Sequence, residues 1–446
     1  MLSSGKRNET RVFVIGLDGV PHSFLVEKVK RGELPCIASL FEEGTLRRMT
    51  TSIPPVSSVA WTTFATGVNP GRHRIFGFMD RRPSPLEVFI PTARHRAAPT
   101  LWRILSGAGK KVCVLNVPVT YPPEPVNGFL VSGFLSPDVE KAAYPPELAA
   151  ELKKCGYVVD VDTLKVRESR DAFLDDLFAS LSARLRATIT LMNSSRWDFF
   201  ITHVMETDRL NHFFWEPMEN GDPAHGKRAH EFYAAVDGFV GEVRANVPKD
   251  ATTIVLSDHG FCTVRKEVDV NFLLRSAGML HVKDESTESA PRIGPSSTAY
   301  SLFPGRVFIN QKGRERDGAV EPGQPTENAV AAITELLGGL RDPDTGEPVV
   351  REVRRRESLY SGPFVAEAAE IVALPNRGYD LKARFDGNSL ARKDFLLGTH
   401  THDDAFLFVS GRDIAKSAPD IMDAAPSILR LFGVPRTGME GNAIFS

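Results

Sequence analysis

The sequence has few cysteines, no excess of charge of one sign and no long hydrophobic run. Its 446 residues include only four cysteines, which are scattered without a CxxC pair, so a disulfide scaffold is not expected. Lys and Arg number 54 against 56 Asp and Glu, which gives no basic footprint for a nucleic-acid polymer. The apolar runs are far shorter than the roughly 20 residues that span a bilayer. We therefore expect a globular protein in the cytoplasm, with neither nucleic acid nor membrane as a partner.

Short apolar runs rich in β-branched residues alternate with helical patterns along the chain. The predicted strands are Val12–Leu17, Val112–Val117, Phe199–Met205, Thr253–Leu256 and Phe406–Val409. The predicted helices are Asp171–Ser194, Ala224–Val247, Thr326–Leu340 and Ala425–Phe432. Such alternation is typical of an α/β/α sandwich with a largely parallel central sheet. In that class of fold a site forms at the carboxyl ends of the strands.

The domain organisation follows from the absence of any repeat of fixed period. We predict a flexible N-terminus at residues 1–10 and a single domain over residues 11–446. The region at about 265–395 begins in a loop-like stretch and contains its own strand pattern, Arg306–Asn310, so we expect a smaller inserted subdomain or cap there.

Carboxylates and imidazoles stand at the ends of the predicted strands. They occur in four clusters, namely Asp18, Asp208 with His212, Asp258 with His259, and His400 with His402. Singly, each has an ordinary explanation as a turn former, a helix cap or a solvated histidine. Because a parallel sheet gathers strand ends at one edge, three aspartates and three histidines can meet there. Mixed oxygen and nitrogen ligands suit Zn²⁺ or Mn²⁺, and six ligands are enough for two metal sites.

Two divalent cations facing three aspartates leave a net positive site, which favours an anionic substrate such as a phosphate ester. A candidate nucleophile is Ser57, which follows the pair Pro54-Pro55 and precedes a helical pattern. On spacing alone, a helix N-cap is an equally good interpretation of Ser57.

Together these motifs resemble the alkaline phosphatase superfamily, and within it the type I phosphodiesterase/nucleotide pyrophosphatase family. The resemblance runs from Val12 to about Arg436. It rests on Leu-Asp18-Gly, the segment Ser57 to His73, the segment Asn116 to Pro123, the segment Thr207 to Trp215, Ser-Asp258-His259-Gly-Phe, Ala299-Tyr with Arg306 to Asn310, and Gly-Thr-His400.

The resemblance implies a residue-by-residue assignment of the two metal sites. Asp18, Asp258, His259 and the nucleophile oxygen of Ser57 would bind one metal, and Asp208, His212 and His400 the other. Zn²⁺ is the family's usual metal, with Mn²⁺ as the alternative. The family nucleophile falls on Ser57, with Ser58 as the neighbouring candidate, and implies a covalent phosphoseryl intermediate that water then hydrolyses. The histidines His22, His73, His203 and His402 match no ligand position.

The substrate pocket departs from the family pattern. The place of an Asn that contacts phosphate in the nucleotide pyrophosphatases is taken here by Phe78. We therefore predict a pocket that is not purely pyrophosphatase-like. Candidate substrate-binding residues are Trp61, Phe78, Asn116, Tyr121 and His402.

Three functions stay open from the sequence. The leading hypothesis is a phosphodiesterase for a small nucleotide-like or headgroup diester. A phosphomonoesterase for a nucleotide or small metabolite is the first alternative, and it would need cationic groups around the phosphoryl oxygens, for which Arg74, Arg209 and Arg314 are candidates. A non-catalytic metal-binding sensor with the same fold is the second. Whether the chain forms a homo-oligomer is left open.

Overall fold

The structure is a computed structural model that describes residues 10–283 and 293–446. The predicted flexible N-terminus lies outside the described residues, apart from Thr10. The strands, in chain order, are β1 (Val12–Leu17), β2 (Gly44–Met49), β3 (Asp80–Pro83), β4 (Leu86–Phe89), β5 (Val112–Leu115), β6 (Gly128–Val131), β7 (Ala143–Tyr144), β8 (Phe199–Val204), β9 (Thr252–Leu256), β10 (Gly260–Thr263), β11 (Lys266–Asp269), β12 (Ala299–Phe303), β13 (Arg306–Ile309), β14 (Val350–Arg355), β15 (Ile371–Pro375), β16 (Tyr379–Lys382), β17 (Ala391–Arg392), β18 (Gly398–Thr401) and β19 (Ala405–Ser410).

The α-helices are α1 (His22–Lys30), α2 (Pro35–Phe41), α3 (Ser57–Thr66), α4 (Pro70–His73), α5 (Leu101–Gly107), α6 (Val139–Ala142), α7 (Leu148–Lys154), α8 (Lys165–Glu168), α9 (Arg170–Ser194), α10 (Glu206–Glu219), α11 (His225–Asn246), α12 (Val270–Ser276), α13 (Gln324–Gly338), α14 (Arg356–Leu359) and α15 (Ala424–Leu431). The predicted elements agree with these bounds to within two residues at each end. The strand predicted to reach Val117 ends at Leu115, because Asn116 has a left-handed backbone with φ of 68°, which a strand cannot continue.

The chain divides into two compact units. The first comprises the described residues up to Val68, Thr92–Phe261 and His400–Ser446, and the second comprises Asn69–Pro91 and Cys262–Thr399. Our interpretation of residues 11–446 as a single domain, with an inserted subdomain or cap at about 265–395, stays a prediction.

The first unit is built on an eight-stranded sheet with the order β2-β19-β9-β1-β8-β5-β6-β7. The five strands from β9 to β6 are parallel to one another, whereas β19, β2 and β7 join antiparallel. The predicted α/β class with a largely parallel central sheet is confirmed. The carboxyl ends of β1, β8 and β9 lie side by side because β1 pairs with both of the others.

Helices cover both faces of this sheet. Successive residues of a strand point to opposite faces, so each strand contacts helices on both sides. Val12 and Val14 of β1 belong to a buried cluster with α3, α5 and α15. On the other face, Thr202 of β8 bonds through its hydroxyl to Thr188 of α9 at 2.9 Å. Every residue of β1 and β8 is buried, as expected for strands covered on both faces.

The second unit contains a four-stranded sheet, β12-β13-β15-β14, a three-stranded sheet, β16-β11-β17, and the hairpin β3-β4. Its core gathers side chains of the first two sheets with the apolar face of α13, including Ile333 and Leu337. In the described residues of both units, no helix is long and apolar enough to cross a membrane.

Replacing a buried side chain of the central strand β8 tests the core of the first unit. Ile201 is 0% exposed, and Ile201→Ala should lower the free energy of unfolding by about 2–5 kcal/mol, since it removes apolar contacts and leaves a cavity. Chemical denaturation followed by circular dichroism measures the change. Leu164, which is 68% exposed, is the control: Leu164→Ala should change stability by less than about 0.5 kcal/mol. Equal effects of the two substitutions would contradict the assignment of the core.

Candidate active site

The seven candidate ligand and nucleophile residues all belong to the first unit. Asp18 follows β1, and α10 carries Asp208 and His212 directly after β8. Asp258 and His259 lie between β9 and β10, and His400 lies in β18 just before β19. The structure therefore brings the four predicted clusters together at one edge of the sheet, where β1, β8 and β9 end and the antiparallel strand β19 begins.

Ser57 is the first residue of α3, and its hydroxyl faces the ligand side chains. Its Oγ donates to Asp18 Oδ1 at 3.1 Å and lies 3.3 Å from His259 Nε2. The N-cap of α3 is Val56, which makes no side-chain cap bond. The alternative interpretation of Ser57 as a helix cap is thus wrong, because the helix begins one residue earlier than a capping serine would require.

Asp18 is fully buried and has its two carboxylate oxygens in different surroundings. Oδ2 accepts a hydrogen bond from Trp61 Nε1 at 2.9 Å and lies 2.8 Å from His203 Nε2. Oδ1 faces Ser57. Trp61 can reach this position because residue 16 is glycine: a Cβ there would lie 2.5 Å from the indole ring. One oxygen of Asp18 is held by the protein, and the other is directed into the site.

Asp258, like Asp18, has one carboxylate oxygen held by the protein and the other directed into the site. Its Oδ1 accepts from the backbone N–H of Gly19 at 3.0 Å, whereas Oδ2 is a buried oxygen without a hydrogen-bond partner among the described residues. The Oδ2 atom lies 3.4 Å from His259 Nε2. A buried carboxylate oxygen without a donor is costly unless a cation occupies the space it faces. Gly19 is itself required here, because its φ is 67° and a Cβ would lie 2.6 Å from the ring of Phe261.

Asp208 is held from the side by a guanidinium. Arg209 NH1 donates to Asp208 Oδ2 at 3.2 Å, and its Nε and NH2 donate to Asp160, the shortest contact being 2.6 Å. The Oδ1 atom of Asp208 remains directed at the histidines, 3.2 Å from His400 Nε2 and 3.5 Å from His212 Nε2. Arg209 thus leaves one oxygen of Asp208 for the site.

Two of the histidines are oriented by backbone carbonyls. His400 Nδ1 lies 2.8 Å from Pro55 O, and His259 Nδ1 lies 3.2 Å from Gly260 O. Because a carbonyl only accepts, each Nδ1 carries the proton, and each Nε2 can present its lone pair to the centre. This is the arrangement that metal-binding histidines adopt in proteins.

The electrostatics of the buried groups indicate a place for cations. Burial raises the pKa of Asp258 well above its usual range, and the negative charge of Asp18 raises it further. Burial lowers the pKa of His259 to about 3, with the charge of His400 acting in the same direction, so this imidazole is neutral near pH 7. The pKa of His400 is raised despite its burial, because Asp208 stabilises its protonated form, so a cation that binds Nε2 would displace a proton from it. Clustered carboxylates beside neutral imidazole fit divalent cations.

The ligand atoms form two overlapping groups. Asp18, Asp258 and His259 make one, and Asp208, His259 and His400 make the other, with all ligand atoms of a group within 4.8 Å of one another. His212 adjoins the second group, since its Nε2 lies 3.0 Å from His400 Nε2. His259 Nε2 faces both groups, being 3.5 Å from Asp18 Oδ1 and 3.9 Å from Asp208 Oδ1.

The residues that we expected to bind substrate differ in their burial and in the unit to which they belong. Trp61 is 0% exposed and bonded to Asp18, so its side chain lies behind the ligands. Asn116 is also 0% exposed, and its Oδ1 accepts from Tyr157 OH at 2.9 Å. Tyr121 and His402 belong to the first unit and are half-buried. Phe78 belongs to the second unit and is 39% exposed.

Several supporting residues were missed from the sequence. Asp160 lies 48 positions before Asp208, and no motif links it to Arg209. The pair Thr207 and Asn211 ties α10 to the loop after β1, because Thr207 Oγ1 donates to Asp18 O and Asn211 Nδ2 donates to Gly19 O. The family-like segment from Thr207 to Trp215 contains both residues. Their polar side chains, next to the candidate ligands in the sequence, were the feature from which this supporting role could have been predicted.

Comparison with known proteins gives one family over most of the chain. The family described as "Type I phosphodiesterase / nucleotide pyrophosphatase" matches residues 12–403. A search of the curated proteins finds no significant match.

Solved structures show the same fold. Phosphonoacetate hydrolase from Sinorhizobium meliloti 1021, in complex with phosphonoacetate, superposes with a TM-score of 0.63 at 19% identity, covering 96% of this chain and 95% of that chain. Murine ectonucleotide pyrophosphatase/phosphodiesterase 5, as an inactive variant in complex with AMP, superposes with a TM-score of 0.60 at 15% identity, covering 98% and 100%. The predicted alkaline-phosphatase-like architecture is confirmed.

The hydrogen bond from Trp61 to Asp18 can be tested with a matched pair of substitutions. Trp61→Phe should weaken metal binding by about tenfold, because it frees the oxygen of Asp18 that the indole holds. Trp102 is the control, since it is also 0% exposed and donates through Nε1 to a carboxylate, Glu124, at 2.8 Å. Competition with a chromophoric chelator measures the affinity. Equal metal binding by Trp61→Phe and Trp102→Phe would contradict this role of Trp61.

Proposed function

Because the chain belongs to the type I phosphodiesterase/nucleotide pyrophosphatase family, we propose that it hydrolyses a small phosphodiester with two metal ions and Ser57 as the nucleophile. Members of this family are metal-dependent phosphoester hydrolases, and the chain is an enzyme of that class. The observation that carries the proposal is the position of Ser57 Oγ, 3.1 Å from Asp18 Oδ1 and 3.3 Å from His259 Nε2. A serine hydroxyl thus lies beside atoms that can bind the same cation.

We assign Asp18, Asp258, His259 and Ser57 to one metal site, and Asp208, His212 and His400 to the other. The unpartnered Oδ2 of Asp258 and the two Nε2 atoms turned inward by backbone carbonyls support this assignment. When bound, such ions act as Lewis acids that stabilise charge on the nucleophile and on the phosphoryl oxygens. Zn²⁺ suits the mixed Asp and His ligands, and Mn²⁺ is the alternative.

The chain's own residues position the reacting groups. Asp18 Oδ1 accepts the hydrogen bond of Ser57 and holds its hydroxyl at the start of α3. In the proposed first step, Ser57 Oγ bonds to phosphorus as its hydroxyl proton passes to solvent, and the bond from phosphorus to the leaving-group oxygen breaks, that oxygen taking a proton from solvent. In the second step, a water oxygen bonds to phosphorus and loses a proton to solvent, the bond from phosphorus to Ser57 Oγ breaks, and Ser57 Oγ regains a proton. Two inversions give net retention of configuration at phosphorus.

The charge around the ligands favours a diester over a monoester. Two divalent cations against three aspartates leave one positive charge, and Arg209 and Asp160 balance each other. A diester carries one negative charge and matches that excess, whereas a monoester dianion leaves the site negative. The cationic side chains that we considered for a monoester already have carboxylate partners. Arg209 pairs with Asp160, Arg74 with Glu367, and Arg314 with Glu370.

The sensor hypothesis has less support, because a binding protein gains nothing from a serine hydroxyl held between two ligand residues. The predicted cytoplasmic location is retained as part of the proposal, and the free thiols of Cys36, Cys113 and Cys155 are consistent with it.

The first experiment compares two chromogenic esters on Zn²⁺- and Mn²⁺-loaded protein. Bis-p-nitrophenyl phosphate should be cleaved faster than p-nitrophenyl phosphate, and Ser57→Ala should lower kcat/KM by at least about 10³-fold, because it removes the nucleophile. Ser58→Ala is the matched control and should retain activity. Faster monoester cleavage would replace the diester proposal with the phosphomonoesterase. A nucleotide diester and phosphonoacetate, chosen from the names of the structural neighbours, extend the panel.

The metal assignment has its own test. Asp258→Asn and His212→Ala should each lose about one metal ion per chain, together with activity, since each removes a ligand from a different site. Metal content is measured by inductively coupled plasma mass spectrometry after gel filtration. A variant that kept two ions and full activity would exclude its residue from the centre.

A further inference from the structure

A cavity of about 470 Å³ in the first unit is lined by none of the candidate ligands. Its walls are residues from two segments, 93–103 and 122–124: Ala93, Arg94, Arg96, Ala97, Ala98, Pro99, Arg103, Pro122, Pro123 and Glu124. The cavity therefore combines three guanidinium groups with one carboxylate and a set of short apolar side chains.

The carboxylate in this cavity is already satisfied. Glu124 Oε1 accepts from Arg96 NH2 at 3.0 Å, from Thr100 Oγ1 at 2.9 Å and from Trp102 Nε1 at 2.8 Å. Its Oε2 lies 3.5 Å from Arg103 NH1. Glu124 can neutralise only one of the three arginines, so the cavity keeps a net positive charge.

Arg96 is the buried arginine of the cavity, and hydrogen bonds hold its guanidinium group. Its side chain is only 8% exposed, NH1 donates to Val119 O at 3.1 Å, and NH2 bonds to Glu124. Its Nε is buried and has no hydrogen-bond partner among the described residues. Because two of its nitrogens are bonded to Val119 O and Glu124, the guanidinium of Arg96 is held in one position in the wall of the cavity.

The other two arginines are available to a ligand. Arg94 is exposed and makes no ion pair with the described residues, and the side chain of Arg103 is 69% exposed. Burial lowers the pKa of Arg96, and the positive charge of Arg103 lowers it further against the opposing effect of Glu124. The guanidinium groups therefore repel one another, and an anion between them would be stabilised.

The cavity adjoins the family-like segment from Asn116 to Pro123, which leaves the carboxyl end of β5. Ala93 N donates to Tyr121 O at 2.7 Å, and this hydrogen bond joins the two segments that line the cavity. The prolines Pro99, Pro122 and Pro123 offer no N–H groups and restrict the backbone that lines the cavity.

We propose that this cavity, which we call the arginine pocket, binds a small oxyanion through Arg94, Arg96 and Arg103. The chemistry is that of a phosphate or carboxylate group, which guanidinium groups bind in a bidentate manner. Two sources share this chemistry: the charged end of a substrate, or a separate small anion. The inference concerns binding and does not rest on the proposed hydrolysis.

Calorimetric titration with inorganic phosphate tests the arginine pocket on metal-loaded protein. The wild-type protein should bind phosphate in two classes of site, one at the metal ligands and one in the pocket. The double variant Arg94→Ala/Arg103→Ala should weaken the pocket class at least about tenfold, since it removes two charge-assisted contacts. Both side chains are exposed, so the variant is expected to fold. Arg47 is a half-buried arginine paired with Asp413 outside the pocket, and the control variant Arg47→Ala should bind phosphate as the wild type does.

An unchanged titration of the double variant would overturn the proposal. Asp258→Asn provides the complementary variant, because it should lose the metal-dependent class and keep the pocket class. This measurement involves no turnover, so a failure of the pocket is distinguishable from a failure of the hydrolase proposal.

Kinetics separate the two sources of the anion. We compare KM for bis-p-nitrophenyl phosphate with KM for a diester whose leaving group carries a carboxylate. If the double variant raises the second KM at least about tenfold relative to the first, the pocket holds the charged end of the substrate. If the ratio of the two KM values is unchanged while phosphate binding to the pocket is lost, the pocket binds a separate anion.

Discussion

The candidate centre depends on one constraint: each of its three carboxylates is held through one oxygen and presents the other. Trp61 and His203 hold Asp18, the backbone N–H of Gly19 holds Asp258, and Arg209 holds Asp208. A buried carboxylate with both oxygens free would rotate or take a proton, since desolvation penalises its charge. With one oxygen held, the direction of the other is set before any cation arrives. The same hydrogen bonds thus fix ligand geometry and reduce the cost of burying three like charges.

The scaffold around the centre is shaped by these hydrogen bonds. Asp18 can be held by an indole only because Gly16 leaves room for the ring. Helix α10, which carries Asp208 and His212, is anchored at its start by Glu206, whose carboxylate accepts from the fully buried Arg184 and from Ser180. Breaking such a buried pair costs several kcal/mol because it leaves an unpaired charge. The position of two candidate ligands therefore depends on a pair whose hydrogen bonds join other residues.

The sequence predicted the elements and the ligand clusters because both depend on local patterns. Apolar runs that end at Asp or His predict strand ends, and a parallel sheet collects strand ends by its geometry. The groups that hold the candidate ligands were harder to find, since a hydrogen-bond partner such as Asp160 lies 49 positions before Arg209 without a pattern that links the two. Asn116 illustrates the difference. Its motif predicted substrate contact, which stays a prediction, and the structure adds a buried hydrogen bond with Tyr157 that the motif did not indicate. A motif marks a position as constrained without saying which neighbour imposes the constraint.

The arginines of the first unit differ in whether a carboxylate already pairs with them. Paired arginines maintain the fold, and the others can bind a ligand. Arg184 and Arg209 each face a carboxylate at 2.7 Å or less and are buried or nearly so. Their charges are already used to hold Glu206, Asp160 and Asp208. In the arginine pocket, by contrast, three guanidinium groups line one cavity whose only lining carboxylate is Glu124, and that carboxylate contacts Arg96 and Arg103. The walls of the cavity therefore keep an excess of positive charge that their one carboxylate does not neutralise. Recognition of an anion accounts for it, because the cost of gathering like charges is recovered when the ligand binds.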